Sequence, residues 1–213
     1  MRSVCGRLPE KPEHAAARPI SICEVDRDKN ELREALQRTR ESCRVYSDKP
    51  VSRELLTHLV EVAGLSPSAC NSQPWRFIVV DDPEVKGRMG EVLDDRGVCG
   101  CPWADRVPAF IVICEETAHL KPAVEAQYGS QHFAQMDIGM AAMSLCCEAS
   151  SLGLGTCMLG TINQEKARQL LNVPEHCPAR LVIAVGYPAL SDAPRRKTRK
   201  SLDEIISYNQ WQA

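Results

Sequence analysis

The longest apolar segment of the chain, residues 131–153, limits the folds that the sequence can adopt. It reads QHFAQMDIGMAAMSLCCEASSLG, and as a helix it is apolar on nearly every side until Gly153. Such a helix would run for about 33 Å at 1.5 Å per residue. Because it has little polar surface, we expect its own core and a second subunit to enclose it.

Two further helices are predicted before this segment. The stretch from Asp28 to Arg40 has a candidate cap and one apolar face, formed by Leu32, Ala35, Leu36 and Thr39. Ser52 is expected to cap a second helix that stops near Gly64. The inner stripe of this helix comprises Leu55, Leu56, Leu59, Val62 and Ala63.

Three other segments, residues 75–81, 108–114 and 180–188, are β-branched and apolar enough to be strands. The first is followed by Asp82-Pro83, which is typical of a helix start. Near the C-terminus, Ser201 and Glu204 have the spacing of a capping box for a short last helix.

Length and charge favour one domain that binds a small ligand. The chain has 213 residues and a formal net charge of −2, so no overall field draws it to nucleic acid or anionic lipid. Residues 1–27 show no periodicity, and the sequence contains no signal peptide and no apolar run of about 18 residues. We expect an irregular extension, 1–27, a single domain, 28–213, and a soluble cytoplasmic protein.

The eleven cysteines form no pattern that indicates a metal site or a disulfide framework. Their number is odd and the chain is long, so we expect mostly reduced, buried thiols. The CGC run at 99–101, the CC pair at 146–147 and the five histidines lack the paired spacing of zinc ligands. A hydrolase would need Cys70 as nucleophile and His132 as base, but no Gly-x-Ser-x-Gly elbow is present.

A polar loop leads directly into the first predicted strand. The sequence SPSACNSQPWRFIVVDDPE, residues 66–84, places five groups that need hydrogen-bond partners next to a buried strand: Ser66, Ser68, Asn71, Ser72 and Gln73. This arrangement indicates that a large polar ligand lies against the loop.

Two basic clusters, far apart in the sequence, have the alternation expected of an anion site. Arg40, Ser42 and Arg44 alternate where a helix gives way to extended chain, so their side chains can converge on one anion. Lys197 and Arg199 alternate in RRKTRKS near the C-terminus. If the clusters met, four cations would surround one phosphate. A solvated basic turn and a solubilising C-terminal segment would show the same sequence pattern, so these alternatives stay open.

The glycine-rich stretch SLGLGTCMLGT, residues 151–161, does not have the dinucleotide-binding spacing. Its glycines follow Gly-x-Gly-x4-Gly, it comes after a helix, and no Gly-Lys-Ser/Thr is present. We expect a glycine-rich helix exit whose backbone N–H groups lie close to a flat ligand.

Taken together, the motifs resemble the FMN-dependent nitroreductase family of NAD(P)H-dependent flavin oxidoreductases. R-x-S-x-R, PSACNSQPW, LGLGTCMLG, VIAVGYP and K-x-R occur in that family's order across residues 30–211. The resemblance implies an α+β fold with a central, mostly antiparallel sheet flanked by helices. It also implies an intertwined homodimer that holds two FMN molecules at the subunit interface.

The same resemblance assigns residues to the phosphate end of FMN. Arg40, Ser42 and Arg44 would bind the phosphate, ribityl and pyrimidine end. Lys197 and Arg199 would complete the phosphate clamp, which agrees with the independent interpretation of the two basic clusters.

The ring end of FMN would be bound by other segments. By resemblance, Pro67 and Ser68 would touch the isoalloxazine, from the partner subunit, and Asn71 would hold the loop or the ring edge. The reactive ring nitrogen would be approached by the backbone of three consecutive residues, Met158, Leu159 and Gly160.

The implied reaction is a ping-pong transfer of reducing equivalents. NADH or NADPH would deliver hydride to the flavin and leave, and a nitroaromatic, quinone or related small acceptor would take its place. No side chain is expected to act as an essential acid or base, and no metal is expected. The alternatives are a reductive dehalogenase or oxidase of the same fold, and a flavin- or thiol-based redox sensor that does not turn over.

Overall fold

The computed structural model describes residues 27–94, 97, 100–191 and 195–211. The predicted N-terminal extension lies outside the described residues, apart from Arg27, which begins the first helix. The chain divides into two compact units, Met1–Ala35 and Leu36–Ala213. The predicted domain boundary at residues 27 and 28 stays a prediction.

Both helices expected in the first third of the chain are present. Helix α1 spans Arg27–Thr39, so that Arg40 follows its last turn as predicted. Helix α2 spans Arg53–Gly64 and begins at Ser52, whose Oγ accepts a hydrogen bond from the Leu55 N–H at 3.3 Å. This cap satisfies one of the N–H groups that a helix start leaves without an intrahelical partner.

The described strands form one antiparallel sheet with the order β1-β2-β4-β3. β2 and β4 are central, and the three predicted strands are confirmed as β1, β2 and β4. The fourth strand, β3, was not predicted. The strands are β1 (Trp75–Val80), β2 (Ala109–Glu115), β3 (Gly155–Leu159) and β4 (Ala179–Gly186).

The sheet separates two apolar layers, since alternate residues of a strand face opposite sides. On one face Ile111 and Ile183 pack with α2 and with helix α6 (Ala134–Ser151). On the other face Val112 and Val182 pack with two short helices, α4 (Met89–Val92) and α7 (Gln164–Leu171). Together with the flanking helices, the sheet confirms the predicted α+β class.

Helix α6 is the predicted apolar helix, but it is shorter than the expected 131–153. Its inner face is buried, and its outer face exposes Met136 and Met140, which are 55% and 40% exposed. The protomer's own core therefore encloses only one side of α6. Over the described ranges, no helix combines the length and the hydropathy needed to cross a bilayer.

The remaining helical elements are short. Asp82 caps the first of them as predicted, through hydrogen bonds from the Glu84 and Val85 N–H groups. The capping box of Ser201 and Glu204 is also present, but it supports a single 3₁₀ turn rather than an α-helix. The elements are α3 (Pro83–Gly87), α5 (Pro122–Tyr128) and 3₁₀ turns at Ala69–Asn71, Ala104–Arg106 and Leu202–Glu204.

Strand β3 corrects the expectation of a glycine-rich helix exit over 151–161. The helix does end there, and Gly153 has φ +74°, but the chain then turns into the edge of the sheet. A Cβ on Gly155 would lie 2.7 Å from the Cβ of Cys43. Gly155 therefore lets a neighbouring backbone segment approach the edge strand closely.

We predict that Gly155→Ala destabilises the protein by about 1–3 kcal/mol, because the added methyl group overlaps backbone-near atoms of Cys43 that cannot rotate away. Gly64→Ala is the matched control, since a Cβ there has no heavy-atom neighbour within 4 Å and the residue ends a helix. Urea unfolding of both variants measures the difference. Equal midpoints for the two variants would contradict the close approach.

Candidate functional site

The extended segment after α1 lies along the outer edge of β3. Ser42 forms an isolated parallel bridge with Thr156, and the Cys43 N–H donates to the Thr156 carbonyl at 2.9 Å. Further on, the Tyr46 hydroxyl donates to the Cys43 carbonyl at 2.9 Å. The position of Arg40, Ser42 and Arg44 is therefore set by backbone pairing to the sheet.

The C-terminal basic cluster returns to this same segment. The Arg195 guanidinium donates to the Ser42 carbonyl at 2.6 Å, and the Arg195 N–H donates to the Glu41 carboxylate, 154 residues away in sequence, at 3.1 Å. The Lys197 ammonium donates to the Gln37 carbonyl at 3.1 Å. The two basic clusters meet, as the sequence interpretation required.

The charges at this meeting point repel one another. Partial burial lowers the pKa of Lys197 from its ordinary value, and the nearby guanidinium groups of Arg40 and Arg199 lower it further, while Glu41 acts in the opposite direction. The charged form of Lys197 is therefore less favourable here than it would be alone in water. An anion bound between them would relieve the repulsion.

A cavity of about 230 Å³ opens beside the meeting point. Arg40 lines it from one side and the start of β3 from the other, with Ser150 contributed by the end of α6. Its other lining residues are Thr39, Glu41, Cys43, Leu154, Gly155, Thr156 and Pro188.

Arg44 and Arg199 are exposed, and each also makes a local contact. Arg44 donates to the Ser42 carbonyl at 3.3 Å, and Arg199 donates to the Thr198 carbonyl at 2.7 Å. Sequence reasoning missed Glu41 and Arg195 because it selected alternate residues. The ion pair between these two, at 3.3 Å, joins the segments that carry the selected residues.

The polar loop has an unusual backbone. Cys70, Asn71 and Gln73 have φ values of 53°, 53° and 51°, in the left-handed region that residues with a Cβ rarely adopt. The Asn71 N–H closes a turn on the Ser68 carbonyl at 2.9 Å, and the Ser68 Oγ accepts from the Gln73 N–H at 2.9 Å. Strain of this kind persists where the surroundings hold the loop in one shape.

The loop's hydrogen-bonding groups find partners within the protein. Ser66 donates to the Ser144 hydroxyl at 2.9 Å, the Ser72 Oγ accepts from the His119 N–H at 2.7 Å, and Gln73 donates to the Asn71 side chain at 3.3 Å. These internal hydrogen bonds account for the polar composition of the loop, and the large polar ligand expected against it stays a prediction. The loop presents four exposed residues outward, Pro67, Cys70, Asn71 and Gln73, together with the half-buried Ser68.

A buried carboxylate fixes the loop to α6. Asp137 is 3% exposed, and its Oδ2 accepts from the Ala69 N–H at 3.1 Å. Asp137 lies in the first turns of α6, whereas Ser150, beside the basic cluster, lies at its end. Thirteen residues of helix separate them by about 20 Å. Within one protomer, the loop and the basic cluster therefore lie toward opposite ends of α6.

Met158, Leu159 and Gly160 lie at the far end of the edge strand. Met158 and Leu159 pair with Ile183 and Val182 of β4, so one side of this backbone is used by the sheet. Met158 is 36% exposed. Because β3 is an edge strand, its other side carries the backbone groups that face outward.

The described cysteines, eight in number, are free thiols. Burial raises the pKa of both Cys114 and Cys146 to about 11, so these thiols stay protonated at neutral pH. Cys70 is exposed. His132 packs on Tyr128 and Phe133. Among the described residues there is no group of three His, Cys, Asp or Glu side chains arranged for a metal.

Comparison with known proteins places the chain in a family. The sequence matches the model of the Nitroreductase family over residues 38–97 and 95–187. It is 30% identical over 191 residues to the FMN reductase (NAD(P)H) of Bacillus subtilis, covering 79% of this chain and 75% of that protein. It is 25% identical over 189 residues to the iodotyrosine deiodinase of Nematostella vectensis, covering 78% of this chain and 71% of that protein.

A solved structure agrees with these matches. The hypothetical oxidoreductase YcnD from Bacillus subtilis superposes with a TM-score of 0.72 at 27% identity, covering 85% of this chain and 75% of that chain. The chain therefore belongs to the nitroreductase family, a family of oxidoreductases, and the predicted membership is confirmed.

Proposed function

We propose that this protein is a homodimeric, FMN-dependent oxidoreductase. It transfers reducing equivalents from NADH or NADPH, by a ping-pong mechanism, to a nitroaromatic, quinone or related small acceptor. The observation that carries the proposal is the return of Arg195 and Lys197 to the segment of Arg40 and Ser42.

The basic cluster suits a phosphomonoester. Such a group carries about two negative charges, and each charge-assisted hydrogen bond to it contributes about 1.5–3 kcal/mol. Arg40, Arg44, Lys197 and Arg199 would supply the cations and Ser42 a hydroxyl. The lowered pKa of Lys197 is consistent with a site built for an anion. Inorganic phosphate has the same chemistry, so the choice of FMN rests on the family and on the named B. subtilis relative.

The remaining predicted residues suit the other end of the same molecule. FMN, when bound, accepts hydride from the nicotinamide and passes it to the acceptor. Pro67, Ser68 and Asn71 would face its ring from the partner subunit, because in one protomer the loop and the clamp lie at opposite ends of α6. The backbone of residues 158–160, at the end of β3, would approach the ring from the subunit whose clamp binds the phosphate.

Exposed apolar residues support a dimer. Met136 and Met140 lie on the outer face of α6, and Leu65, just before the loop, is 84% exposed. The C-terminal segment adds a second apolar surface, formed by Leu202, Ile205, Ile206, Tyr208 and Trp211. Apolar side chains that form a large exposed patch are usually covered by another protein chain, and we propose that these residues do so.

The ping-pong order is part of this proposal, in which NAD(P)H and the acceptor use one binding site in turn. NAD(P)H would bind, lose its hydride and leave before the acceptor enters, so the protein's residues need only orient, exclude water and neutralise charge. The predicted absence of an essential acid or base belongs to this proposal.

A second candidate is reductive dehalogenation, which the similarity to iodotyrosine deiodinase favours. Release of iodide from 3-iodotyrosine during NAD(P)H oxidation would distinguish it from quinone or nitro reduction. Steady-state NAD(P)H oxidation distinguishes the redox-sensor alternative. A sensor takes up reducing equivalents once, whereas a reductase continues to oxidise NAD(P)H while acceptor is present.

We predict that the purified protein is yellow and that its visible absorption bleaches when NADH or NADPH is added without oxygen. Colour should return when a quinone is added, and repeated cycles should consume NAD(P)H steadily. Anaerobic spectrophotometry measures each step. A colourless protein that FMN cannot reconstitute would exclude the proposed function.

We predict that Arg44→Ala with Lys197→Ala loses FMN while the apoprotein stays folded. Losing two charge-assisted contacts of about 1.5–3 kcal/mol each should weaken binding by two orders of magnitude or more. The FMN-to-protein ratio, by absorbance after gel filtration, and far-ultraviolet circular dichroism measure the two effects.

The matched control is Arg106→Ala with Lys121→Ala. It removes the same two residue types, both exposed, from outside the cluster, and it should keep FMN. If both double variants keep stoichiometric flavin, the assignment of Arg44 and Lys197 to the FMN phosphate is wrong.

We predict that Met140→Arg converts the protein from a dimer to a monomer and releases flavin, because a buried unpaired charge at the subunit contact is strongly unfavourable. Leu190→Arg places the same charge at a fully exposed leucine and should leave the dimer intact. Light scattering of parent and variants gives the mass. A parent that is a flavin-loaded monomer would refute the shared site.

A further inference from the structure

Two cysteines that are far apart in the sequence line one cavity beside β1. Cys114 lies in β2, and Cys177 lies just before β4. Both are free thiols, and both belong to the same apolar layer of the core. The cavity has a volume of about 390 Å³. Its lining includes the ion pair of Arg76 and Glu116, whose side chains are 70% and 34% exposed, so the cavity reaches solvent.

The register of the sheet places the two cysteines diagonally across β2 and β4. Cys114 pairs with Ala179, which lies two residues after Cys177. The next contact along the strands is the hydrogen bond from the Glu115 N–H to the Pro178 carbonyl, at 2.9 Å. Because alternate residues face the same side, Cys114 and Cys177 both face the layer that contains α4 and α7. Diagonal neighbours of this kind have Cα atoms about 7–8 Å apart, with the Cβ atoms somewhat closer.

The turn before β4 can bring the two thiols together. The Cys177 N–H closes this turn on the Pro174 carbonyl at 3.0 Å, so Cys177 itself lies outside the strand. A disulfide requires Cα atoms about 4.4–6.8 Å apart. A displacement of the turn by about 1–2 Å therefore suffices to close the bond. The cavity beside the turn provides the space for this movement.

The two thiols differ in their access to solvent. Cys114 is 2% exposed, and burial, with a smaller contribution from the nearby Cys177, raises its pKa to about 11. Cys114 is therefore protonated at neutral pH and reacts slowly by itself. Cys177 is 9% exposed and is the thiol that a small oxidant in the cavity meets first.

We propose that Cys114 and Cys177 form a site of oxidative modification, at which hydrogen peroxide converts the two thiols into a disulfide. First, the Cys177 sulfur attacks one peroxide oxygen and the O–O bond breaks. This step gives a sulfenic acid, and the departing hydroxide takes the Cys177 proton and leaves as water. Next, the Cys114 sulfur attacks the sulfenic sulfur, and the hydroxyl group leaves with the Cys114 proton as a second water. Two electrons pass from the thiols to the peroxide.

This modification does not depend on the proposed function. The cavity borders β1, whereas the basic cluster lies along β3, and β2 and β4 separate these two edges of the sheet. The disulfide would fix the turn before β4 to a central strand without involving any residue assigned to FMN. If the two thiols only fill the core, peroxide will leave both of them free to react with an alkylating reagent.

The first test follows both thiols in the reduced, purified protein after exposure to hydrogen peroxide without NAD(P)H. N-ethylmaleimide in denaturant then blocks the remaining thiols. Trypsin with a glutamate-specific protease releases residues 107–115 and 176–180, each with one cysteine. Mass spectrometry without reductant should find these two peptides joined, and dithiothreitol should separate them. Two separately alkylated peptides, or Cys177 joined to a different cysteine, would overturn the proposal.

Cys146 is the matched control thiol in the same molecule. It is buried, and burial raises its pKa to about 11, as for Cys114, but it does not line the cavity. During the exposure, Cys114 should lose its alkylation in step with Cys177, while Cys146 keeps it. Equal losses from Cys114 and Cys146 would mean that peroxide reacts with an opened core, which contradicts a preformed site.

The second test applies the same exposure to Cys177→Ala. The variant removes the proposed partner of Cys114, so Cys114 should stay alkylated where the parent protein loses it. Far-ultraviolet circular dichroism checks that the variant is folded. Loss of Cys114 alkylation in the variant at the rate of the parent would show that Cys177 is not its partner, and the proposal would be wrong whether or not the protein holds flavin.

Discussion

The pairing of Cys43 with Thr156 is the contact on which the candidate site depends. It places the residues after α1 along the edge of the sheet, and Gly155 allows the approach because it has no side chain. An extended segment paired to a strand presents alternate side chains on one side, which is the order in which Arg40, Ser42 and Arg44 occur. The C-terminal cluster then has a fixed surface to return to, and Arg195 binds the Ser42 carbonyl directly.

Helix α6 links the polar loop to the basic cluster. Its first turns hold the polar loop through Asp137, and its last turns border the basic cluster at Ser150. Its inner face fills the core, while its outer face exposes Met136 and Met140. A two-fold arrangement about the outer face would bring the loop of one subunit toward the clamp of the other. The distance between the polar loop and the basic cluster within one protomer therefore favours the proposed dimer.

Elements with a strong local pattern could be predicted from the sequence, and elements that depend on a neighbour could not. The cap of Ser52 and the apolar strands β1, β2 and β4 are local features, and all were predicted. Strand β3 was missed, because Thr156 is the one β-branched residue among its five, and the segment becomes a strand through pairing with β4 and Ser42. The alternation of the basic clusters left their meeting open, and the family resemblance implied it, but the Glu41 and Arg195 pair has no signal in sequence.

The electrostatics of the clamp connect binding to the order of the C-terminal segment. Partial burial lowers the pKa of Lys197, the nearby Arg40 and Arg199 lower it further, and Glu41 acts in the opposite direction. Without a bound anion, the hydrogen bond from Lys197 to the Gln37 carbonyl therefore forms despite repulsion from Arg40 and Arg199. A bound phosphate would turn this repulsion into attraction, and by mass action it would stabilise the state in which residues 195–199 lie on the sheet edge. The apolar residues from Leu202 to Trp211 follow directly, so in the proposed dimer occupancy of the clamp would also position these exposed residues.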